Sequence, residues 1–201
     1  MTLVDTIKAI QRAVGAEADG VFGPVTAKHV WHILTGDEST DQETGESGDS
    51  WSILDDRTQE NIATLDPKCQ DRFRQFSLLA KATAATFGCD YVMISGHRTW
   101  EEQDALFEKR PIVTRAAGGY SNHNFGIAGD FGVFRGKVYL DDSNPALADQ
   151  VHEACAVHAR KLGFEWGGDF KKFKDTPHYE ISTGLTMAAK RLLYKKEGSV
   201  L

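Results

Sequence analysis

The sequence predicts an α+β protein built in two parts, a small all-α module followed by a larger mixed domain. Three observations carry this. Residues 37–50 contain no apolar side chain and divide the chain. Before them the only regular signal is helical. After them, helical stripes alternate with short apolar runs, and two of those runs, 127–134 and 137–140, turn into one another at Arg135-Gly136.

Taken in order, Leu3, Ile7, Ile10 and Val14 place apolar groups on one helical face, which Gly15 ends. Asp19-Gly20 and Gly23-Pro24 are turn signals, and Pro24 suits the first turn of a second helix carrying Val25, Val30, Ile33 and Leu34. The module thus spans residues 1–36. Residues 37–50, made of Gly, Ser, Thr, Gln and acids, cannot bury a core and form a flexible acidic linker.

The larger domain covers residues 51–201. Asp55 or Asp56 caps a helix to about Thr64. Asp66-Pro67 opens a longer one with Phe73, Phe76, Leu79, Ala80, Thr83 and Phe87 inward, closed by Gly88. Residues 89–95 read as a buried strand. Thr99 and Glu102 form a capping box for a helix over 100–109. Residues 110–122 read as loop. Asn144-Pro145 introduces a helix to about Leu162, with Val151, Ala154, Val157 and Ala159 available for packing, and Gly163 ends it. His152 and His158 on that helix read as surface or packing residues. Trp166-Gly167-Gly168-Asp169 reads as a turn, Lys171–Lys174 as a basic loop, 178–182 as a strand and 184–194 as a final helix.

Composition narrows the function. At 41% hydrophobic and 26% charged residues, the chain has the makeup of an ordinary globular protein. A net charge of −6, much of it in the linker, argues against a nucleic-acid partner. No apolar run approaches a membrane span, and Met1–Ala13 lacks the pattern of a secretory signal. Cys69, Cys89 and Cys155 are scattered and odd in number, so they read as reduced thiols. A monomer is expected.

The chemistry concentrates in Ser121-Asn122-His123-Asn124-Phe125-Gly126-Ile127-Ala128-Gly129-Asp130 and in Asp175-Thr176-Pro177-His178-Tyr179-Glu180. Two imidazoles and a carboxylate, His123, Asp130 and His178, suit a borderline metal such as Zn²⁺ and leave a fourth position open to water. Asp130 sits in an apolar run and needs a partner there; a metal is one and an arginine is the other.

The pattern Ser121…His123…Gly126…Ala128…Asp130, with Trp166-Gly167-Gly168-Asp169, Asp175-Thr176-Pro177-His178 and Ser95-Gly96-His97-Arg98-Thr99 around it, resembles the zinc peptidases that cut peptidoglycan peptides. These are the D-Ala-D-Ala carboxypeptidases and dipeptidases and the phage L-alanyl-D-glutamate endopeptidases. The resemblance covers roughly residues 51–194. It implies a small antiparallel sheet carrying the zinc at its face, with helices flanking it. Asp175 would be the base for a metal-activated water, with Glu180 as its rival or as an acceptor orienting an imidazole. Arg98 would stabilise the oxyanion or hold a substrate carboxylate, or would serve as a salt bridge. Gln103 and Ser121 would bind the substrate peptide. His97 is a possible fourth ligand or a cleft residue, Trp166 and Asp169 are supporting residues, and Tyr120 and Phe125 would shape the pocket.

The N-terminal segment Asp19-Gly20-Val21-Phe22-Gly23-Pro24-Val25-Thr26 resembles the three-helix peptidoglycan-binding module, here with two helices of the usual three. Asp19, Gly20, Phe22, Gly23 and Thr26 are the positions that match, and a bracing role is the alternative. Module, linker, peptidase and the absence of a signal together resemble a phage endolysin that stays in the host cytoplasm until released to the wall. Two alternatives stay open: a D-Ala-D-Ala carboxypeptidase or dipeptidase, and a zinc-bearing wall-binding module without turnover.

Overall fold

The computed structural model describes residues 54–109 and 114–201, together with positions 7, 8, 11, 12, 18, 26 and 30. The linker, Trp51 and most of the N-terminal module, including Asp19, Gly20, Phe22 and Gly23, lie outside the described residues. Thr26 is described: it is buried, and its Oγ1 accepts a 2.9 Å hydrogen bond from Gln11 Nε2.

The larger domain is a mixed fold of helices and one antiparallel sheet. Its helices start where local caps dictate. In α1 (Asp56–Ala63) the Asp55 side chain accepts from the Thr58 amide. In α2 (Pro67–Ala85) Asp66 caps and Pro67 occupies the first turn. β1 (Asp90–Ser95) follows. α3 (Trp100–Glu108) carries both halves of the Thr99/Glu102 capping box. A 3₁₀ turn (Asn122–Phe125) leads into β2 (Ala128–Arg135), β3 (Val138–Tyr139) and the single-turn α4 (Leu140–Ser143). α5 (Pro145–Lys161) is capped by Asn144. Then come β4 (Phe164–Trp166), a 3₁₀ turn (Gly167–Asp169), β5 (His178–Ile181) and α6 (Met187–Glu197).

Three expectations shift. The final helix runs three residues later than 184–194, because Thr186 caps it. The stretch entering Trp166 is a strand, β4, before it becomes a turn. Val157 faces solvent on α5, where Ala148, Val151, Cys155, Ala156 and Ala159 pack instead. Of the two readings given for His152, surface or packing, the packing one holds: it is wholly buried.

The strands run in the order β1-β2-β5-β4, with β3 paired to β2, and every pairing is antiparallel. β2 and β5 are therefore central. Side chains alternate between faces. Phe131, Val133, Tyr179 and Ile181 turn to one face and join Tyr91, Met93, Phe164 and Trp166 in the core. Phe76 of α2 sits at the middle of that layer, with ring centroids 4.6 Å from Tyr179, 5.1 Å from Phe131 and 5.5 Å from Phe164. Asp130, His178 and Glu180 are left on the opposite face. A buried polar chain stiffens the core: Asp141 to His152 at 2.7 Å, His152 to Tyr91 at 2.7 Å, and Tyr91 to Tyr179 at 2.8 Å. The three cysteines are buried and unpaired. No described helix is long and apolar enough to cross a membrane.

Candidate metal centre

Sheet register builds most of the site. Asp130 of β2 lies directly opposite His178 of β5, so their side chains project together from one face. His123 arrives from the 3₁₀ turn, whose N-terminus Ser121 caps by accepting from the His123 amide. Gly126 ends that turn at φ +66°, and a Cβ there would press on the Asp66 amide at 2.7 Å. A side chain is excluded on both counts.

Three atoms converge. His123 Nε2 and Asp130 Oδ1 are 3.2 Å apart, His178 Nδ1 and Asp130 Oδ1 3.0 Å, and the two nitrogens 3.3 Å. In a tetrahedral site with bonds of 2.0–2.1 Å, neighbouring ligand atoms stand about 3.3 Å apart. The triangle matches a zinc-sized ion. His123, Asp130 and His178 are the three metal-capable side chains that the described residues bring together.

The surroundings fix the tautomers. His123 Nδ1 meets the Gly96 carbonyl at 2.7 Å, so it carries the proton and leaves Nε2 as a lone pair. His178 Nε2 meets Glu180 Oε2 at 2.8 Å, which frees Nδ1 in the same way. Arg98 binds Asp130 Oδ2, leaving Oδ1 for the centre. The arginine itself is held by Ser95 Oγ at 2.9 Å. β1 pairing slips between Met93 and Ser95, where the chain leaves the sheet towards Arg98.

Charge is strongly coupled here. Burial opposes a charge on Asp130, but the two imidazoles outweigh it and hold its carboxyl well below the usual range. Burial also disfavours charge on His178, yet hydrogen bonds to Asp130 and Glu180 push its pKa up to about 10 in the metal-free protein. Asp175 moves the other way for a carboxylate. Burial raises its pKa, and the negative charge of Asp130 raises it further. A Cβ on Gly167 would lie 3.0 Å from both Asp175 Cβ and His178 Cβ, so the Asp175 side chain starts close to that of His178.

The Trp166-Gly167-Gly168-Asp169 segment shapes that neighbourhood. The Gly167 carbonyl accepts from the Asp175 amide at 3.0 Å, and Trp166 Nε1 donates to the Thr176 carbonyl at 2.7 Å. Asp169 is bound by Arg160 at 2.8 Å, away from the triangle.

Other expected site residues lie further out. Gln103 is fully buried; its Nε2 donates to the Ala116 carbonyl at 2.8 Å and to Thr114 Oγ1 at 3.2 Å, bracing the loop before Ser121. His97 is not part of the triangle and lines a hollow of about 220 Å³ with Thr64, Asp66, Phe125 and Tyr194. Phe125 is buried and Tyr120 exposed, with Arg191 over the Tyr120 ring. The sequence offered Glu180 with two alternative roles, and the structure places it as the orienting acceptor for His178. Asn122 and Lys190, which continue that contact outward, gave no signal: a lysine on an amphipathic terminal helix reads as solvated.

Residues 114–181 match the model of the D-alanyl-D-alanine carboxypeptidase family of peptidases. The chain is 43% identical over 111 residues to the peptidoglycan L-alanyl-D-glutamate endopeptidase CwlK of Bacillus subtilis, covering 50% of this chain and 66% of that protein, just under two thirds. A 55-residue stretch is 46% identical to part of a glutamine–tRNA ligase of Pseudomonas putida, covering 26% of this chain and 9% of the ligase. Among solved structures, the Serratia marcescens L-Ala D-Glu endopeptidase ChiX is similar at a TM-score of 0.48 and 21% identity, over 64% of this chain and 89% of that one.

Proposed function

From the premise that this chain carries a peptidase domain of the D-alanyl-D-alanine carboxypeptidase family, we propose that it is a zinc-dependent peptidoglycan peptidase. The bond it cuts in the stem peptide is that between L-alanine and D-glutamate. The observation that supports this best is the triangle of His123 Nε2, His178 Nδ1 and Asp130 Oδ1, with both imidazoles pinned from behind and Asp175 alongside. The preference for the L-alanyl-D-glutamate bond follows the likeness to the Bacillus endopeptidase.

When bound by these three residues, zinc would polarise the scissile carbonyl and acidify a water. The protein's own groups do the rest. Asp175 takes a proton from the attacking water and delivers it to the leaving amine. Water is thereby split across the amide: its oxygen goes to the carbonyl carbon, the C–N bond breaks, and the products are a carboxylate and a free amine. Arg98 spends two of its five N–H donors on Ser95 and Asp130. Those remaining can meet the developing oxyanion or a substrate carboxylate. Glu180 holds His178 and does not compete with Asp175 for the proton-transfer role. Gln103 and Ser121 support the substrate side through the loop between them.

In the cell, the reading is that of an endolysin, made in the infected host's cytoplasm and acting on the wall once released. The N-terminal module would hold the enzyme at the wall through specific contacts, raising its local concentration.

The family description supports one rival, release of terminal D-alanine. Digestion of purified peptidoglycan with zinc-loaded protein, against a chelator-treated control, separates the two by mass spectrometry. New L-alanine C-termini and D-glutamate N-termini are expected. Free D-alanine would establish the carboxypeptidase instead, and absence of any fragment from several wall types would leave a binding module.

A further inference from the structure

Lys190 is buried on α6, a costly place for an ammonium group. Its Nζ donates to Asn122 Oδ1 at 2.7 Å. Asn122 in turn reaches Glu180 and favours its charged, accepting form. Glu180 accepts from His178 Nε2 at 2.8 Å. Four side chains thus form one line from the last helix to the metal triangle. The direction of each hydrogen bond is fixed, because an ammonium only donates and a carboxylate only accepts. The amide between them must offer oxygen to one and nitrogen to the other.

The line also answers an electrostatic problem. Glu165 of β4 stands directly opposite Glu180 of β5, and like charges facing across strands are destabilising. Lys190 feels both carboxylates. Its positive charge offsets part of that repulsion.

We infer that Lys190 and Asn122 are positioning residues for the metal centre: they hold Glu180 so that His178 Nδ1 faces the ion, and α6 thereby sets metal affinity from outside the site. This rests on the metallopeptidase reading above.

The test measures zinc and cobalt dissociation constants of the full chain by chelator competition, beside the cobalt absorption spectrum and the urea midpoint. Lys190→Met and Asn122→Leu are expected to weaken zinc binding about tenfold, in the range seen when groups supporting a metal ligand are removed. Lys196→Met, on an exposed part of the same helix, should bind zinc normally. Asn122→Asp keeps the acceptor for Lys190 but loses the donor to Glu180. It should weaken zinc binding and alter the cobalt spectrum even if Lys190→Met does not fold. In a Glu180→Gln background, Lys190→Met should cost no further affinity, because the line is already cut. Wild-type zinc affinity in Asn122→Asp, or a Lys190→Met loss that simply adds to that of Glu180→Gln, would overturn the inference and leave α6 a packing element. Failure of the unmodified chain to take up zinc or cobalt would sink the metallopeptidase reading itself.

Discussion

Asp175 and His178, three residues apart on one turn, have their proton affinities shifted by different neighbours. Burial and the Asp130 charge raise the pKa of Asp175, so the proposed base, which works only when ionised, should lose activity on acidification at a higher pH than an unshifted aspartate would. The acid limb of the kcat profile should show this. Asp175→Asn should lower kcat by about 10²–10⁴-fold, the usual contribution of a positioned base, with zinc still bound. Metal content and turnover, measured on the same sample, check both halves. In His178 the metal-free pKa of about 10 lies above the value near 6.5 of an unfolded histidine. Its contribution to metal-free stability is therefore complete below about pH 6.5 and disappears as pH rises towards about 10. Zinc bound at His178 as proposed would displace that proton. Calorimetry in buffers of different ionisation enthalpy should show proton release on binding at neutral pH, and affinity should fall as the solution is made more acid.

At the scale of elements, the turn from β4 to β5 sets the tolerances. A Cβ on Gly167 would collide with the Asp175 carbonyl oxygen and come within 3.0 Å of His178 Cβ. Gly167→Ala should cost at least about 10²-fold in kcat/KM, as a small misplacement of catalytic groups does, while far-ultraviolet circular dichroism stays unchanged. The elements differ in how far the sequence announced them. Asp55, Asp66-Pro67, Thr99 with Glu102, and Asn144-Pro145 carry their instructions within a few residues, and the helices begin where those caps stand. The three metal-capable residues were legible as a motif, and register brings them together. β4 was not legible. Three residues offer no alternation to read, and the strand exists because Phe164 and Trp166 find Ile181 and Tyr179 across a gap in sequence. The last helix was displaced because Thr186 outcompetes the earlier start. His152 looked unremarkable on α5; only the fold reveals Asp141 and Tyr91 on either side of it.

For the molecule as a whole, stability rests on the aromatic layer beneath the sheet and chemistry on the face above it. Phe76→Ala, which empties the middle of that layer, should destabilise by about 3–5 kcal/mol. Tyr179→Phe, which removes one hydroxyl from the buried chain, should cost about 1 kcal/mol and leave zinc affinity intact. Urea midpoints and chelator competition on the two variants would test this separation of roles. The separation bears on how the protein fails with heat. Asp130 and His178 belong to the two central strands, each flanked on both sides, and His123, on its 3₁₀ turn, is tied down by the Gly96 carbonyl and by Ser121, whereas Asp175 and Arg98 stand on the connections between strands. Connections open locally at lower free energy than a central ladder. A warmed sample should therefore pass through a stage in which the ion is still held but the catalytic groups have drifted, so inactivation comes before metal loss, and cooling from that stage restores the enzyme without any need to reload it.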